Sequence, residues 1–346
     1  MADSKKVRKE DLAGLLAEWS RDYAVLAPSR ADGVAHMAAW DGEDISFLDW
    51  YRNTINPVKS LFLPPVEEMF SISRNERGHR IELPPKDDTG CLVFGVRPCD
   101  ARSLILLDVV FEDAYEDPYY LDRRRRSIVV GLCCTNPCDS CFCTSVGSGP
   151  AATAGMDIMF TDIGDNLLVE GISRKGKELV AGSATLAKAT RSDENRARKS
   201  RLAAEKKITR KIDTGDSKER LLAVFEDEIF WQQVSAKCVS CGVCTLLCPT
   251  CYCFDINDAM TGGEGSRCRS LDSCAFSSYT KMPMENPRAD KWRRVRNKLC
   301  HKYEFYPMLF DNIACTGCGR CIRLCPVNWD ITQVLDSLPA KHESKI

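Results

Sequence analysis

The sequence predicts an α+β protein in two parts. Residues 1–215 form an N-terminal α/β domain on a small mixed sheet, and residues 216–346 form a helical domain organised by a repeated cysteine run. Three observations carry this expectation. A β-α-β pattern occupies residues 91–132, a charged and apolar-poor segment lies at residues 188–218, and the string C-x2-C-x2-C-x3-C-P occurs twice beyond it.

In the N-terminal part, Leu12, Leu15, Leu16 and Trp19 fall at helical spacing and predict a helix that passes into a strand. A loop at residues 29–33 separates it from a second strand over 34–40, and a short helix is expected at 49–53. Pro64 and Pro65 force an extended entry, after which residues 66–70 read as the start of a helix with Glu67 and Glu68 in its first turn. Lys59, just before the prolines, reads as a solvated surface lysine.

The clearest unit follows. Residues 91–96 (CLVFGV) and 127–132 (SIVVGL) are apolar, β-rich runs, and Asp100 is placed to cap a helix reaching to residue 111. That order and length favour a parallel pair with a right-handed crossover. Residues 156–172 then read as a hairpin turning at 164–166. In open α/β sheets, ligands gather outside the carboxyl ends of the strands. There stand Cys99, Cys133 and Cys134, with Cys138, Cys141 and Cys143 in the next loop. So many thiols at one rim mark a candidate third metal site, with Cys99, Cys134, Cys141 and Cys143 as ligands and Cys133 and Cys138 as alternates. The competing reading is that they are buried free cysteines, which pack as small apolar groups. Arg97 and Asp100 either tune this site or pair with each other. The arginine run at 123–126 reads as a solvated face or a steering patch for an acidic partner.

Residues 188–218 predict a long exposed helix between the two parts, and 221–233 an amphipathic helix leading to the cysteines. The first run is Cys238, Cys241, Cys244 and Cys248 before Pro249; the second is Cys315, Cys318, Cys321 and Cys325 before Pro326. This is the spacing that holds cubane clusters in bacterial two-cluster ferredoxins, with each run's fourth cysteine ligating the other cluster. Two-residue steps wrap three thiolates around one cube, and a fourth thiolate one turn on points to its neighbour. Cys238, Cys241, Cys244 and Cys325 are therefore assigned to one [4Fe–4S] cluster, and Cys315, Cys318, Cys321 and Cys248 to the second, in a helical ferredoxin-type domain. Gly242, Gly317 and Gly319 allow the backbone to approach the cubes closely. Structural zinc needs neither a third cysteine, nor a fourth three residues later, nor the proline.

The spacer at 250–314 is longer than a minimal ferredoxin requires. Its Cys251, Cys253 and Cys274 either line the cubes or complete the extra site, whereas Cys91, Cys268 and Cys300 carry no assignment. Residues 262–265 read as a flexible insertion, and 288–302 as a basic helix facing a partner or the charge of the clusters.

Composition sets the outer bounds. A chain of 346 residues with 44% apolar residues can bury a substantial core. A net charge of −1 gives no argument for nucleic acid, and no apolar run approaches the ~20 residues of a membrane-spanning helix. With 20 cysteines against four histidines (His36, His79, His301 and His342), ligation by thiolate is favoured over imidazole. A long chain with no visible signal peptide is expected in a reducing cytoplasm, which disfavours disulfides. No nucleotide-binding glycine fingerprint is present.

Taken in order, the strings KSLFLPPVEEMF, GVRPCDARSLILLDVVF, CTNPCDSCFCTSVGSGP, CPTCYCFD, LDSC, NPRADKWRRVRNKLCHKYEFYP and CTGCGRCIRLCPV span residues 56–328. Together they resemble the iron–sulfur A subunit of anaerobic sulfite reductase and the beta subunit of sulfhydrogenase-type nickel–iron hydrogenases. The resemblance implies an electron conduit with no substrate site of its own. Its donor side would be a flavin- and [2Fe–2S]-containing subunit handling NAD(P)H or ferredoxin electrons. Its other side would be a hydrogenase, sulfite reductase or heterodisulfide reductase unit. By the same resemblance the eight run cysteines carry over as ligands, and Cys99, Cys134, Cys141 and Cys143 as candidates for a third [4Fe–4S] cluster. The contrasting reading is a reductase that uses its extra thiols on a disulfide or polysulfide.

Overall fold

The computed structural model describes residues 4–340 except 76–77 and 86–88, so His342 lies outside the described residues. Among the described residues, twelve strands form two sheets. The strands are β1 (Lys5–Arg8), β2 (Tyr23–Ala31), β3 (Val34–Ala39), β4 (Val66–Asn75), β5 (Gly78–Glu82), β6 (Gly90–Val96), β7 (Ile128–Leu132), β8 (Ile158–Asp162), β9 (Asn166–Gly171), β10 (Ala187–Lys188), β11 (Phe254–Thr261) and β12 (Glu264–Leu271). The larger sheet has eight strands in the order β10-β1-β9-β8-β7-β6-β2-β3. Its centre, β2-β6-β7-β8, is parallel and its flanks are antiparallel.

Side chains alternate across the central strands, so each face has its own core. Leu92, Phe94, Val130, Ile158 and Phe160 pack with Leu12, Leu15, Leu16 and Trp19 of the helix Leu12–Trp19. Val93, Val129 and Met159 face the other way, onto Leu104 and Leu107 of the helix Pro98–Phe111. The β6–helix–β7 crossover and the β8–β9 hairpin follow the sequence pattern. The strand β1, one in from the edge strand β10, is not evident in it. Three of its four residues are Lys or Arg, and only its pairing with β9 and β10 makes it a strand.

The smaller sheet, β11-β12-β4-β5, corrects two expectations. Residues 66–70 are not a helix: after the two prolines the chain stays extended and pairs antiparallel with β12, Val66 opposite Ser270. The insertion at 262–265 is the turn of the β11–β12 ribbon, with Gly262 and Gly263 both at positive φ. The ribbon belongs to the spacer between the cysteine runs, so this sheet joins segments from either side of residue 215. Inside the joint, Glu67 is buried between Arg269, at 2.5 Å, and Arg123. Of the other arginines in the 123–126 run, Arg124 and Arg126 are partly buried and Arg125 is exposed. Arg124 pairs with Asp108, Arg125 with Glu116 and Arg126 with Asp122.

The connecting helix is shorter than its charge pattern suggested, spanning Arg191–Lys206, and it is not a free bridge. Thr190 and Asp193 form a capping box at its start. Ala197 and Ala204 are buried, and Arg201 donates to Thr161 on β8. Beyond it the chain runs extended along the 134–146 loop. Lys207 donates to the Thr135 carbonyl, and Ile212 N–H to Ser145 Oγ. The C-terminal core gathers Trp231, Leu299, Tyr303, Ile331 and Leu335.

Candidate iron–sulfur sites

The spacing of each cysteine run places a left-handed glycine before a one-turn helix. Gly242 (φ 77°) precedes Val243–Leu246, and Gly319 (φ 71°) precedes Arg320–Arg323. The third cysteine of each run, Cys244 or Cys321, lies on that turn, and the fourth, Cys248 or Cys325, just past it. Backbone N–H groups already point at sulfur: Ser240 to Cys238 at 3.4 Å, Gly317 to Cys315 at 3.4 Å and Trp329 to Cys325 at 3.2 Å. Amide donors of this kind tune a bound cluster.

One cavity is lined by Cys248, Cys315, Cys318 and Cys321, the four residues assigned to the second cluster, with Cys244 of the first run also at its wall. The structure thus brings the fourth cysteine of the first run to the first three of the second. Lys302 closes this cavity. It lies in a π-helical turn, His301–Phe305, that continues the helix Lys291–Cys300. Its ammonium is 2% exposed and donates to Cys248 Sγ at 3.3 Å, Thr250 Oγ1 at 2.8 Å and the Ala314 carbonyl at 3.0 Å. Burial opposes its charge, but Cys248 and Cys251 beside it hold it protonated, well above the usual lysine range.

A second cavity collects the thiols at the sheet rim. Cys99, Cys134, Cys138, Cys141 and Cys143 all line it. Cys99 stands in the first turn of the helix Pro98–Phe111, and Cys134 follows β7. Cys141 and Cys138 are neighbours: their mutual hydrogen bond pulls the Cys138 thiol down to about 6. Cys133, by contrast, turns into the apolar core with Val93 and Val129, and its sulfur meets the Pro150 carbonyl at 3.4 Å. Alternation along the strand end sends the adjacent Cys133 and Cys134 to opposite sides. Among the described residues no three His, Cys, Asp or Glu side chains close around a single ion; the thiols line cavities instead.

Cys318 is in the walls of both cavities, so the rim site and the second run are contiguous. Two contacts hold them together. Phe142 N–H donates to the Gly317 carbonyl at 2.9 Å, and a Cβ built on Gly317 would stand 2.5 Å from Cys143 N. Gly317→Ala, at φ 63°, is therefore expected to cost about 2 kcal/mol or more, from the left-handed backbone and the forced separation of the loops. Anaerobic chemical denaturation would measure it, and a change under about 0.5 kcal/mol, the scale of a neutral surface substitution, would contradict this account of the joint.

The second contact is a fully buried ion pair. Arg320 reaches Asp100 through two bonds, at 2.6 and 2.8 Å, and also donates to the Thr54 carbonyl and Asn53 Oδ1. Asp100 is next to Cys99, and Arg320 next to Cys321. Arg97 does not pair with Asp100: its guanidinium is spent on the carbonyls of Tyr51, Arg52, Leu132 and Cys133. Lys59 is not a surface lysine either. It is 2% exposed and donates to the Cys251 carbonyl. Cys91, Cys268 and Cys300 join neither of these cavities.

No helix among the described residues is long and apolar enough to cross a membrane. Residues 237–329 match the 4Fe–4S dicluster domain, which supports two [4Fe–4S] clusters and an electron-carrying role within oxidoreductase chemistry. No solved structure matches the chain. Over 315 residues it is 31% identical to sulfhydrogenase 2 subunit beta of Pyrococcus furiosus, covering 88% of this chain and 90% of that protein. With a match this long and at this identity, the chain belongs to the sulfhydrogenase beta subunit family.

Proposed function

We propose that this chain relays electrons inside a multi-subunit oxidoreductase, between a flavin- or ferredoxin-linked donor subunit and a hydrogenase-type module. A sulfite reductase or heterodisulfide reductase unit would be the alternative second partner. Cys238, Cys241, Cys244 and Cys325 would hold one [4Fe–4S] cluster, and Cys315, Cys318, Cys321 and Cys248 the second. Four of Cys99, Cys134, Cys138, Cys141 and Cys143 would hold a third. When bound, such clusters supply one-electron carriers whose potentials the surrounding hydrogen bonds and charges adjust.

The observation that carries this reading is the sharing of walls. Cys318 belongs to the rim cavity and to the second-run cavity, and Cys244 reaches the latter from the first run. The rim thiols and the second run therefore adjoin through the interior, with Cys244 of the first run at the same wall, which supports a stepwise relay. Buried cations and amides already face the sulfurs, as expected of residues that must offset the charge of anionic clusters.

Anaerobic purification from the native host should bring a flavin subunit with the chain. The chain should hold about eight irons for the paired runs and about 12 with the rim site, at four per cluster. Cys134→Ser should remove about four irons and interrupt transfer from donor subunit to terminal acceptor. If that variant keeps full transfer and loses only turnover of a polysulfide, the chain is a thiol reductase and the relay reading fails.

A further inference from the structure

Three of the cysteines that the relay leaves unused come together in the fold. Cys251 and Cys253 follow the first run in the string CPTCYC, and Cys274 lies 21 positions beyond Cys253. The ribbon closes that gap. β11 and β12 pair from Thr261 opposite Glu264 down to Phe254 opposite Leu271, and Asp272 N–H then donates to the Cys253 carbonyl at 2.9 Å. Cys253 and Cys274 thus emerge together at the foot of the ribbon, beside Cys251. All three line one cavity of about 470 Å³, with Tyr252, Tyr279, His301, Arg288, Lys298 and Lys302.

The charge of this cavity indicates what it takes. Arg288, Lys298 and Lys302 are in its wall, and no aspartate or glutamate is. Lys302 is 2% exposed and Lys298 6% exposed, and the Lys298 ammonium lies 4.7 Å from the Trp329 ring centroid, beside Cys244. Lys59 comes up from the opposite side to the Cys251 carbonyl. Ammonium groups out of water need negative charge within reach. Three thiolates supply part of it, and thiolates gathered under cations bind soft metals.

We propose that Cys251, Cys253 and Cys274 hold an additional iron–sulfur cluster of the [4Fe–4S] class, bound by three cysteines and facing this cationic cavity. Three thiolates leave one iron without a cysteine, and Tyr279 and the hydrogen-bonded pair Tyr252 and His301 bring oxygen and nitrogen atoms to the same wall. Lys298 and Lys302 also line the cavity of the second run. The centre at Cys248, Cys315, Cys318 and Cys321 would then adjoin three others and act as a branch point, with one arm ending in a pocket and not in a closed protein shell.

Iron, sulfide and Mössbauer counting on the anaerobic native complex tests this without mutation. Four centres predict about 16 irons in this chain, at four per cluster. Cys253→Ser and Cys274→Ser, made separately, should each remove about four while Cys134→Ser removes a different set, distinguishable by its EPR signal. Unchanged iron and sulfide in both ribbon variants would overturn the proposal and leave the three-centre relay standing. Should a variant fail to fold, alkylation of wild-type protein decides. Cys253 should be blocked from iodoacetamide until iron is removed by chelation. Its modification in the iron-loaded protein, or detection of a Cys253–Cys274 disulfide there, would equally overturn it.

Discussion

Arg320→Met is expected to lower the stability of the iron-loaded protein by about 3–5 kcal/mol, the range for breaking one side of a buried ion pair. The two side chains are each 0% exposed, and the pair is bidentate at 2.6 and 2.8 Å. Removing the guanidinium leaves the Asp100 carboxylate charged in a site with no water, and orphans the Thr54 carbonyl and Asn53 Oδ1 as well. The loss is larger than the worth of the contact, because most of it is the penalty on the charge left behind. Combining Arg320→Met with Asp100→Leu should therefore recover a large part of it, since apolar replacement of a whole buried pair is often close to neutral. Urea denaturation under anaerobic conditions would measure both. A single variant within about 1 kcal/mol of wild type, the range of ordinary substitutions, would show that the pair is not what clamps the sheet rim to the second cysteine run. Because Asp100 adjoins Cys99 and Arg320 adjoins Cys321, the single variant should also loosen both thiolate sites together, and iron content would show it.

Lys302→Met should make the centre to which Cys248 contributes harder to reduce, by on the order of 100 mV. A unit charge about 6 Å away at an effective dielectric near 20 is worth roughly 3 kcal/mol. For a one-electron couple about 1.4 kcal/mol corresponds to about 59 mV. The sign follows from charge. Reduction adds an electron, the buried ammonium favours the more negative state, and removing the ammonium withdraws that help. Methionine keeps most of the volume, so the effect is electrostatic to a first approximation. A redox titration followed by EPR would read the shift. The centre served by Cys238 and Cys241 should move much less, because Lys302 touches Cys248 and neither of those two. An unchanged potential, or a shift toward easier reduction, would remove Lys302 from the tuning of this centre.

Both predictions depend on long-range pairings, and these divide what could be read in the chain from what could not. Arg320 and Asp100 are 220 positions apart, and Lys59 and Cys251 are 192 apart. Nothing local to either member announces its partner. Residues 66–70 were misjudged for the same reason: two glutamates after prolines suit a helix start, but the strand they form is held by β12, whose residues come 200 positions later. Charge runs mislead in part in the same way: Arg123 and Arg124 are drawn in by Glu67 and Asp108, whereas Arg125 and Glu116 form an exposed surface pair.

The amino-acid order by itself determined the two cysteine runs, the glycines within them and the parallel β6–β7 pair. Each of these is set by bonds, spacings and alternations a few residues long, or by one crossover between neighbouring strands. Only the tertiary structure decided that Cys134 and Cys138 face the rim cavity while Cys133 faces the core, that Lys59 is buried, and that the ribbon sets Cys253 beside Cys274. Those outcomes depend on which face a strand end turns inward and on partners far away in the chain. They are settled when apolar burial and the pairing of buried charges select one packing of the whole molecule.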